Sequence, residues 1–204
     1  MVLSLGIDVG TTSVKVTVLN TTTLEVLATN KLYHGNKSSI KDTKPNFHEQ
    51  DAICILNTLI QCIQGIPKSC LSNVTIISVS GQMHGVVLWS KSENQSILAD
   101  QNAGEFCNLH VSTLITWQDG RCSPEFLSSI PKSSPPLATG FGCASLFWLQ
   151  KNCPVFVDSY ECAGSIMDVL VYQICNLKLP VMSPQVAYSW GYFDINENTW
   201  QNSV

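Results

Sequence analysis

Charge is what this chain has least of. Only 13% of its 204 residues are charged, about half of the usual ~25%. The 11 basic and 15 acidic side chains leave a net charge of −4, and Lys and Arg form no run. Nucleic acids and anionic membranes are recognised through clustered positive charge, so neither is expected as a partner. No apolar run approaches the roughly 18 residues of a membrane span. The start, Met-Val-Leu-Ser-Leu-Gly-Ile-Asp, lacks a basic leader, and Asp8 interrupts its apolar character. Nine cysteines occur without one C-x-x-C pair, which removes zinc-ribbon and thioredoxin-type readings. Free thiols in a reducing cytosol are the expectation. The phosphate loop G-x-x-x-x-G-K-[ST] is also missing. An apolar share of 45% excludes disorder, and the length fits one large domain or a cramped pair.

Residues 2–19 alternate. Leu3, Leu5 and Ile7 share one face, and Val14, Val16 and Val18 share another, the period of paired strands. Between them Asp8-Val9-Gly10-Thr11-Thr12-Ser13 makes a hairpin turn, and Thr21–Thr23 leads to a third strand over Leu24–Ala28. Residues 34–48 read as an exposed loop, which leaves His34 and His48 solvated, as His110 is in its own loop. From Asp51 to Gln64 the apolar positions follow helical spacing, with Glu49 and Asp51 favourable at the helix start. Strands are predicted over Val74–Ser80, Val86–Trp89 and Leu114–Thr116. Helices are predicted over Pro124–Ile130, Ala144–Asn152 and Met167–Cys175, and a late strand near Gly191–Asp194. Ser90–His110 reads as a polar loop or insertion. The class is mixed α/β, opening with an antiparallel meander.

Three segments carry chemistry. Gly6 to Lys15 offers small residues that let backbone N–H groups face an anion, hydroxyls at Thr11, Thr12 and Ser13, a lysine, and a carboxylate able to hold magnesium. The same composition also makes a plain tight turn. Asp8 favours the phosphate reading, because it stands where apolar strand residues end and a sheltered lone carboxylate is costly. Gln82-Met83-His84, between glycines, sets an amide and an imidazole at a strand end and suits a polyhydroxylated ligand; taken alone, a turn with a partly buried histidine is the plainer reading. Trp117, Asp119 and Arg121 add a flat apolar face with both charge signs, fit for a sugar or for a structural ion pair.

Together these segments resemble the N-terminal half of the FGGY carbohydrate kinases, within the actin-like ATPase superfamily. The resemblance rests on Leu5 to Lys15, Ser80-Gly81-Gln82-Met83-His84-Gly85-Val86-Val87, Thr116-Trp117-Gln118-Asp119-Gly120-Arg121-Cys122, Thr139-Gly140-Phe141-Gly142-Cys143-Ala144 and Ser189-Trp190-Gly191-Tyr192-Phe193. It implies a ribonuclease H-like domain, a mixed sheet flanked by helices, over residues 1–204. It implies that Asp8 holds Mg2+ and that Gly10, Thr11, Thr12, Ser13 and Lys15 line the phosphate path of ATP. Gln82, Met83, His84, Trp117, Asp119 and Arg121 would meet the sugar. The implied reaction transfers the γ-phosphoryl of ATP to a ketose primary hydroxyl, sedoheptulose being the ketose these motifs favour. That chemistry needs positioning, charge neutralisation and a carboxylate that accepts the hydroxyl proton. In the family that aspartate lies in a Gly-Asp segment near the junction with a second domain, beyond Val204, so the chain is expected to be an incomplete enzyme whose partner is its own C-terminal domain. Where relatives tend to carry an acidic residue, this chain has Pro184.

A non-catalytic sugar- or phosphate-binding protein is the competing expectation. A ribonuclease H-like nuclease would share the meander and Asp8, but it needs clustered carboxylates for two metals and a basic surface, which 11 dispersed Lys and Arg do not supply.

Overall fold

The computed structural model describes residues 2–40, 44–91, 106 and 109–201. The expected hairpin forms from β1 (Leu3–Val9) and β2 (Ser13–Asn20), antiparallel from Leu3 opposite Asn20 to Val9 opposite Val14. β3 (Val26–Tyr33) pairs antiparallel with β2. It begins two residues later and runs five residues further than its sequence suggests. Asn20 explains the late start: its side-chain oxygen accepts from Thr22 and Thr23 N–H, and Leu24 turns at φ 60°. The later residues Thr29, Asn30 and Lys31 are polar because β3 is an edge strand, held by its ladder rather than by burial.

The chain next forms the short helix α1 (Gly35–Ser38) and the two-residue strand β4 (Glu49–Gln50). α2 (Ala52–Gln64) begins as expected, with the Asp51 carboxylate accepting from Cys54 N–H at 3.0 Å. Its buried stripe of Ile55, Leu56, Leu59 and Cys62 lies against Val14, Val16 and Val18 of β2 within one core. After α3 (Lys68–Leu71), β5 (Val74–Gly81) runs parallel to β1. The sheet order is β3-β2-β1-β5, the mixed sheet expected. β5 is an edge among the described residues, with Ile76 and Ile77 nearly half exposed.

β6 (Val87–Trp89) pairs with β8 (Cys162–Gly164), and β7 (Leu114–Ile115) with β4. Most of the Ser90–His110 segment lies outside the described residues. Helices α4 (Pro124–Ser129), α5 (Gly142–Asn152) and α7 (Ile166–Ile174) fall where their spacing predicted. α6 (Pro154–Val157) and α8 (Pro184–Trp190) carry no such signal strongly. α8 ends at Trp190, directly before the Gly191–Asp194 segment expected as a late strand. Ser183 caps it, Pro184 opens its first turn, and Gly191 at φ 94° ends it. Only Phe193 and Asp194 remain as β9, paired with β10 (Thr199–Trp200). No helix among the described residues is long and apolar enough to cross a membrane.

Leu3, Leu5, Ile7 and Val9 point into the core, so the alternate residues of β1 point away. Asp8 is therefore exposed on the open face of the sheet. The shelter expected for its carboxylate does not exist, because strand period, not turn geometry, sets its direction. His34 and Ser38 reverse the expectation of an exposed loop: both are fully buried beneath the first turn.

α7 packs against β5 and β6 and starts with a capping box, in which Asp168 Oδ2 accepts from Ser165 N–H and Oγ–H at 2.7 Å each. Burial pushes the Asp168 carboxyl up from 3.8 to about 6, against the lowering effect of the Ser165 bonds. Between these values the folded chain holds a proton that the unfolded chain has lost. Stability therefore falls as pH rises through that window, by on the order of 3 kcal/mol in all. Asp168→Asn keeps an acceptor for Ser165 and removes the titration. In urea denaturation, wild type should lose ground to this variant between pH 4 and pH 7, and a difference independent of pH would contradict the assignment.

Candidate functional site

Parallel pairing brings the carboxyl ends of β1 and β5 to the same edge of the sheet. Gln82 N–H donates to the Val9 carbonyl at 2.9 Å, so the Gly10–Thr12 and Gln82–Gly85 turns stand side by side. Gly81 permits the approach: a Cβ there would lie 2.5 Å from the Val9 carbonyl oxygen. The third segment follows β7 and reaches the same edge, where Trp117 Nε1–H donates to Thr11 Oγ1 at 3.1 Å. Thr11 Oγ1–H in turn makes a longer 3.5 Å contact to Gln82 Oε1. Three segments spread over more than a hundred residues of sequence thus share one hydrogen-bonded cluster.

His84 adopts φ 69°, a left-handed conformation that a side-chain-bearing residue holds only where the surroundings impose it. Its ring stacks on Phe141, with centroids 4.5 Å apart and planes 6° apart. Nδ1 lies 3.0 Å from the Ser189 carbonyl oxygen. A carbonyl only accepts, so Nδ1 carries a proton, and Nε2 is left for another group. Phe141 follows Gly140, whose φ of 79° and position against the Trp117 carbonyl leave no room for a Cβ. Met83 is half-buried against the core. Trp117 stays 48% exposed, with its indole N–H committed to Thr11.

Asp119 and Arg121 share this loop but point elsewhere. Asp119 is fully buried, and its carboxylate accepts from His48 N–H at 2.8 Å and from Arg121 N–H, Nε–H and Nη2–H at 2.8–2.9 Å. Arg121 also meets Glu49 at 2.6 Å, and its guanidinium lies 4.3 Å from the Phe47 ring and 5.3 Å from Trp148. Burial opposes the charge of Arg121, yet the hydrogen bonds and charges of Asp119 and Glu49 outweigh it and hold its pKa above the usual value. This cluster fixes the loop that presents Trp117. Glu49 therefore serves Arg121 and not the start of α2, where Asp51 alone caps the helix.

The other half of the site is the turn after β1. Gly10 N–H donates to Ser13 O, and Thr12 O accepts from His34 and Gly35 N–H. His34 Nε2 lies 3.1 Å from the Gly10 carbonyl oxygen, while Nδ1 meets Ser38 Oγ at 2.9 Å. Burial lowers the pKa of His34, against the opposing effect of the Gly10 bond, and keeps the ring neutral as a fixed brace. Thr12 is exposed, and Thr11 and Ser13 are half-buried. On the sheet's open face, Asp8 stands across from Lys15 on β2 and beside Ser80 on β5. With Gly6, Thr17 and Ser78 they line a cavity of about 310 Å³. Asp8 and Lys15 thus share one cavity, whereas Thr11 faces the Gln82 side. Among the described residues no three His, Cys, Asp or Glu side chains gather as a metal cage.

Gln50, His34 and Phe141 belong to the site without having been singled out by their sequence. Gln50 sits between residues read as a helix start, His34 in a polar stretch, and Phe141 in a segment quoted only for resemblance. Eight cysteines fall among the described residues, all free thiols. Burial pushes Cys122 up to about 11, with Asp119 adding to the effect, and Cys143 up to about 12, so neither serves as a nucleophile at neutral pH.

Removing Arg121 leaves two carboxylates facing each other, one of them wholly buried. Arg121→Met is expected to cost about 3–5 kcal/mol of stability, read by denaturant titration. A loss under ~1 kcal/mol would show that the cluster does not hold the loop.

Residues 3–204 match the N-terminal domain of the FGGY family of carbohydrate kinases. The chain is 42% identical to the sedoheptulokinases of Mus musculus and Homo sapiens over 97% of its length, and it spans 43% of each of those proteins. Its fold is similar to Plasmodium falciparum glycerol kinase, solved with ADP, at 22% identity and a TM-score of 0.74, covering all of this chain and 40% of that one. Xylulose kinase from Rhodospirillum rubrum gives 16% identity and a TM-score of 0.75, covering 98% of this chain and 40% of that one. The chain belongs to the FGGY family of carbohydrate kinases.

Proposed function

We propose that this chain is the sugar-binding half of an ATP-dependent sugar kinase that phosphorylates a ketose primary hydroxyl, with sedoheptulose as the first candidate. The observation that carries this reading is the convergence of Trp117, Gln82 and His84 at the edge where the Gly10–Ser13 turn also lies. The half-exposed indole of Trp117 offers a surface to sugar C–H groups. Gln82 can donate and accept toward hydroxyls, His84 presents Nε2 to one, and Met83 adds an apolar contact. Asp119 and Arg121 contribute by fixing the loop beneath Trp117. Lys15 and the turn hydroxyls of Thr12 and Ser13, with Gly10 allowing close approach, would face the phosphates of ATP, while Thr11, committed to Trp117 and Gln82, ties that turn to the sugar side. Asp8 fits Mg2+, because that ion takes one or two carboxylates plus phosphate oxygens and keeps several waters, and a lone exposed carboxylate flanked by Ser80 supplies such a contact. Bound there, the ion would neutralise charge on the transferring group.

The similar sedoheptulokinases are more than twice as long, which supports a further domain as the partner that completes the adenine pocket and supplies the proton acceptor. The exposed Ile76 and Ile77 on β5 are apolar surface of the kind such a partner covers. Free thiols support a cytosolic setting.

One observation favours a second reading, a sugar-binding protein without phosphotransfer: the carboxylates nearest the sugar cluster, Asp119 and Glu49, are committed to Arg121. Calorimetry with sedoheptulose on this chain, together with ATP-dependent phosphorylation by this chain and by one extended through the downstream sequence, separates the two. The kinase reading expects binding by both chains and turnover by the extended one; binding without turnover in either supports the second reading. Trp117→Ala should weaken sugar binding about tenfold, equivalent to ~1.4 kcal/mol, and unchanged affinity would remove Trp117 from the site.

A further inference from the structure

β4 is only two residues long, and its alternation sends neighbouring side chains to opposite sides. Glu49 goes to Arg121 and Thr113. Gln50, only 6% exposed, goes to the site edge. There its Nε2–H donates to the Thr11 carbonyl at 2.8 Å, and its Oε1 accepts from Gln82 Nε2–H at 3.2 Å. Gln50 therefore bridges the turn after β1 and the turn after β5, and it fixes which end of the Gln82 amide faces Thr11.

We propose that Gln50 is a positioning residue that locks the phosphate-side turn and the sugar-side amide into one geometry, so that a ligand seated against Gln82 also orders the Gly10–Ser13 turn. The ligand part of this proposal rests on the sugar-kinase reading above; the bridge itself rests on the hydrogen bonds alone. Donors and acceptors run in one direction: Trp117 Nε1–H to Thr11 Oγ1, Thr11 Oγ1–H to Gln82 Oε1, Gln82 Nε2–H to Gln50 Oε1, and Gln50 Nε2–H to Thr11 O. A closed, one-way chain leaves Gln82 with one N–H and one lone pair uncommitted, the pair that a hydroxyl of the ligand would need.

Two substitutions in the 204-residue chain divide the bridge. Gln50→Glu retains an acceptor for Gln82 but cannot donate to Thr11 O, whereas Gln50→Met loses both bonds. Hydrogen exchange followed by NMR reads the turn through the Gly10, His34 and Gly35 amides, all bonded within it, and the core through Ile7 and Val16. Gln50→Glu should speed exchange at the three turn amides about tenfold (~1.4 kcal/mol), with the Gln82 side-chain amide and the core amides unchanged. Gln50→Met should release the turn and the Gln82 amide alike. Unchanged turn exchange in both variants, or a uniform acceleration that includes Ile7 and Val16, overturns the bridge; should Gln50→Met not fold, Gln50→Glu alone decides it. In parallel, sedoheptulose titration of the wild type and Gln50→Met should show at least a tenfold loss of affinity in the variant. Equal affinity overturns the role in binding. No binding by the wild type refutes the sugar reading, while the exchange pattern still decides the bridge.

Discussion

The parallel pairing of β1 with β5 is the constraint from which the site follows. A hairpin alone would place the turn after Val9 at one end of a ribbon with nothing beside it. Adding β5 in parallel sets a second strand end at the same edge, and it requires a crossover long enough to return the chain, here through α1, β4, α2 and α3. The crossover also delivers β4 to that edge and lays α2 on the buried face. Gly81 is where this pairing is tightest, because the Val9 carbonyl occupies the space of a side chain. Site, core and crossover therefore share one cause.

Around that edge the chain divides its polar groups by task. Buried Arg121 and Asp119 and half-buried Glu49 neutralise one another and hold a loop. The strand ends carry uncharged hydrogen-bonding side chains, from buried Gln82 through half-buried His84 to exposed Trp117, and the open sheet face carries charges left in solvent, Asp8 and Lys15. Of the 11 basic and 15 acidic side chains, three sit in this single cluster. Burial of that kind is costly unless every partner is present, which makes the cluster an all-or-nothing support for the loop carrying Trp117.

Much of this was legible beforehand. Strict alternation through Leu3, Leu5 and Ile7, then Val14, Val16 and Val18, announced the hairpin, and the Asp51 cap with its apolar helical spacing announced α2. The three chemistry-bearing segments do meet at one edge. What remained hidden depended on direction and on partners distant in sequence. Asp8 was read as a turn residue, although strand period turns it outward. His34 and Gln50 looked like loop and helix-flank residues because their partners, Gly10 and Thr11, lie 24 and 39 residues away. Asp119 and Arg121 have the composition of a sugar contact and of an ion pair alike, and only burial distinguishes the two. The polar edge strand β3 was truncated for the same reason: its register comes from β2, not from its own residues.

The alternation at β4 has a consequence for how this chain tolerates change. Point substitutions at Glu49 and Gln50 act on separate clusters and can be repaired separately. Deleting or inserting one residue just before Glu49 would exchange their directions, turning a carboxylate toward the Thr11 carbonyl and an amide toward the Arg121 guanidinium. Both clusters would fail in one event, so the spacing between the Phe47 segment and the α2 cap admits no length variation even where the identities of individual residues do.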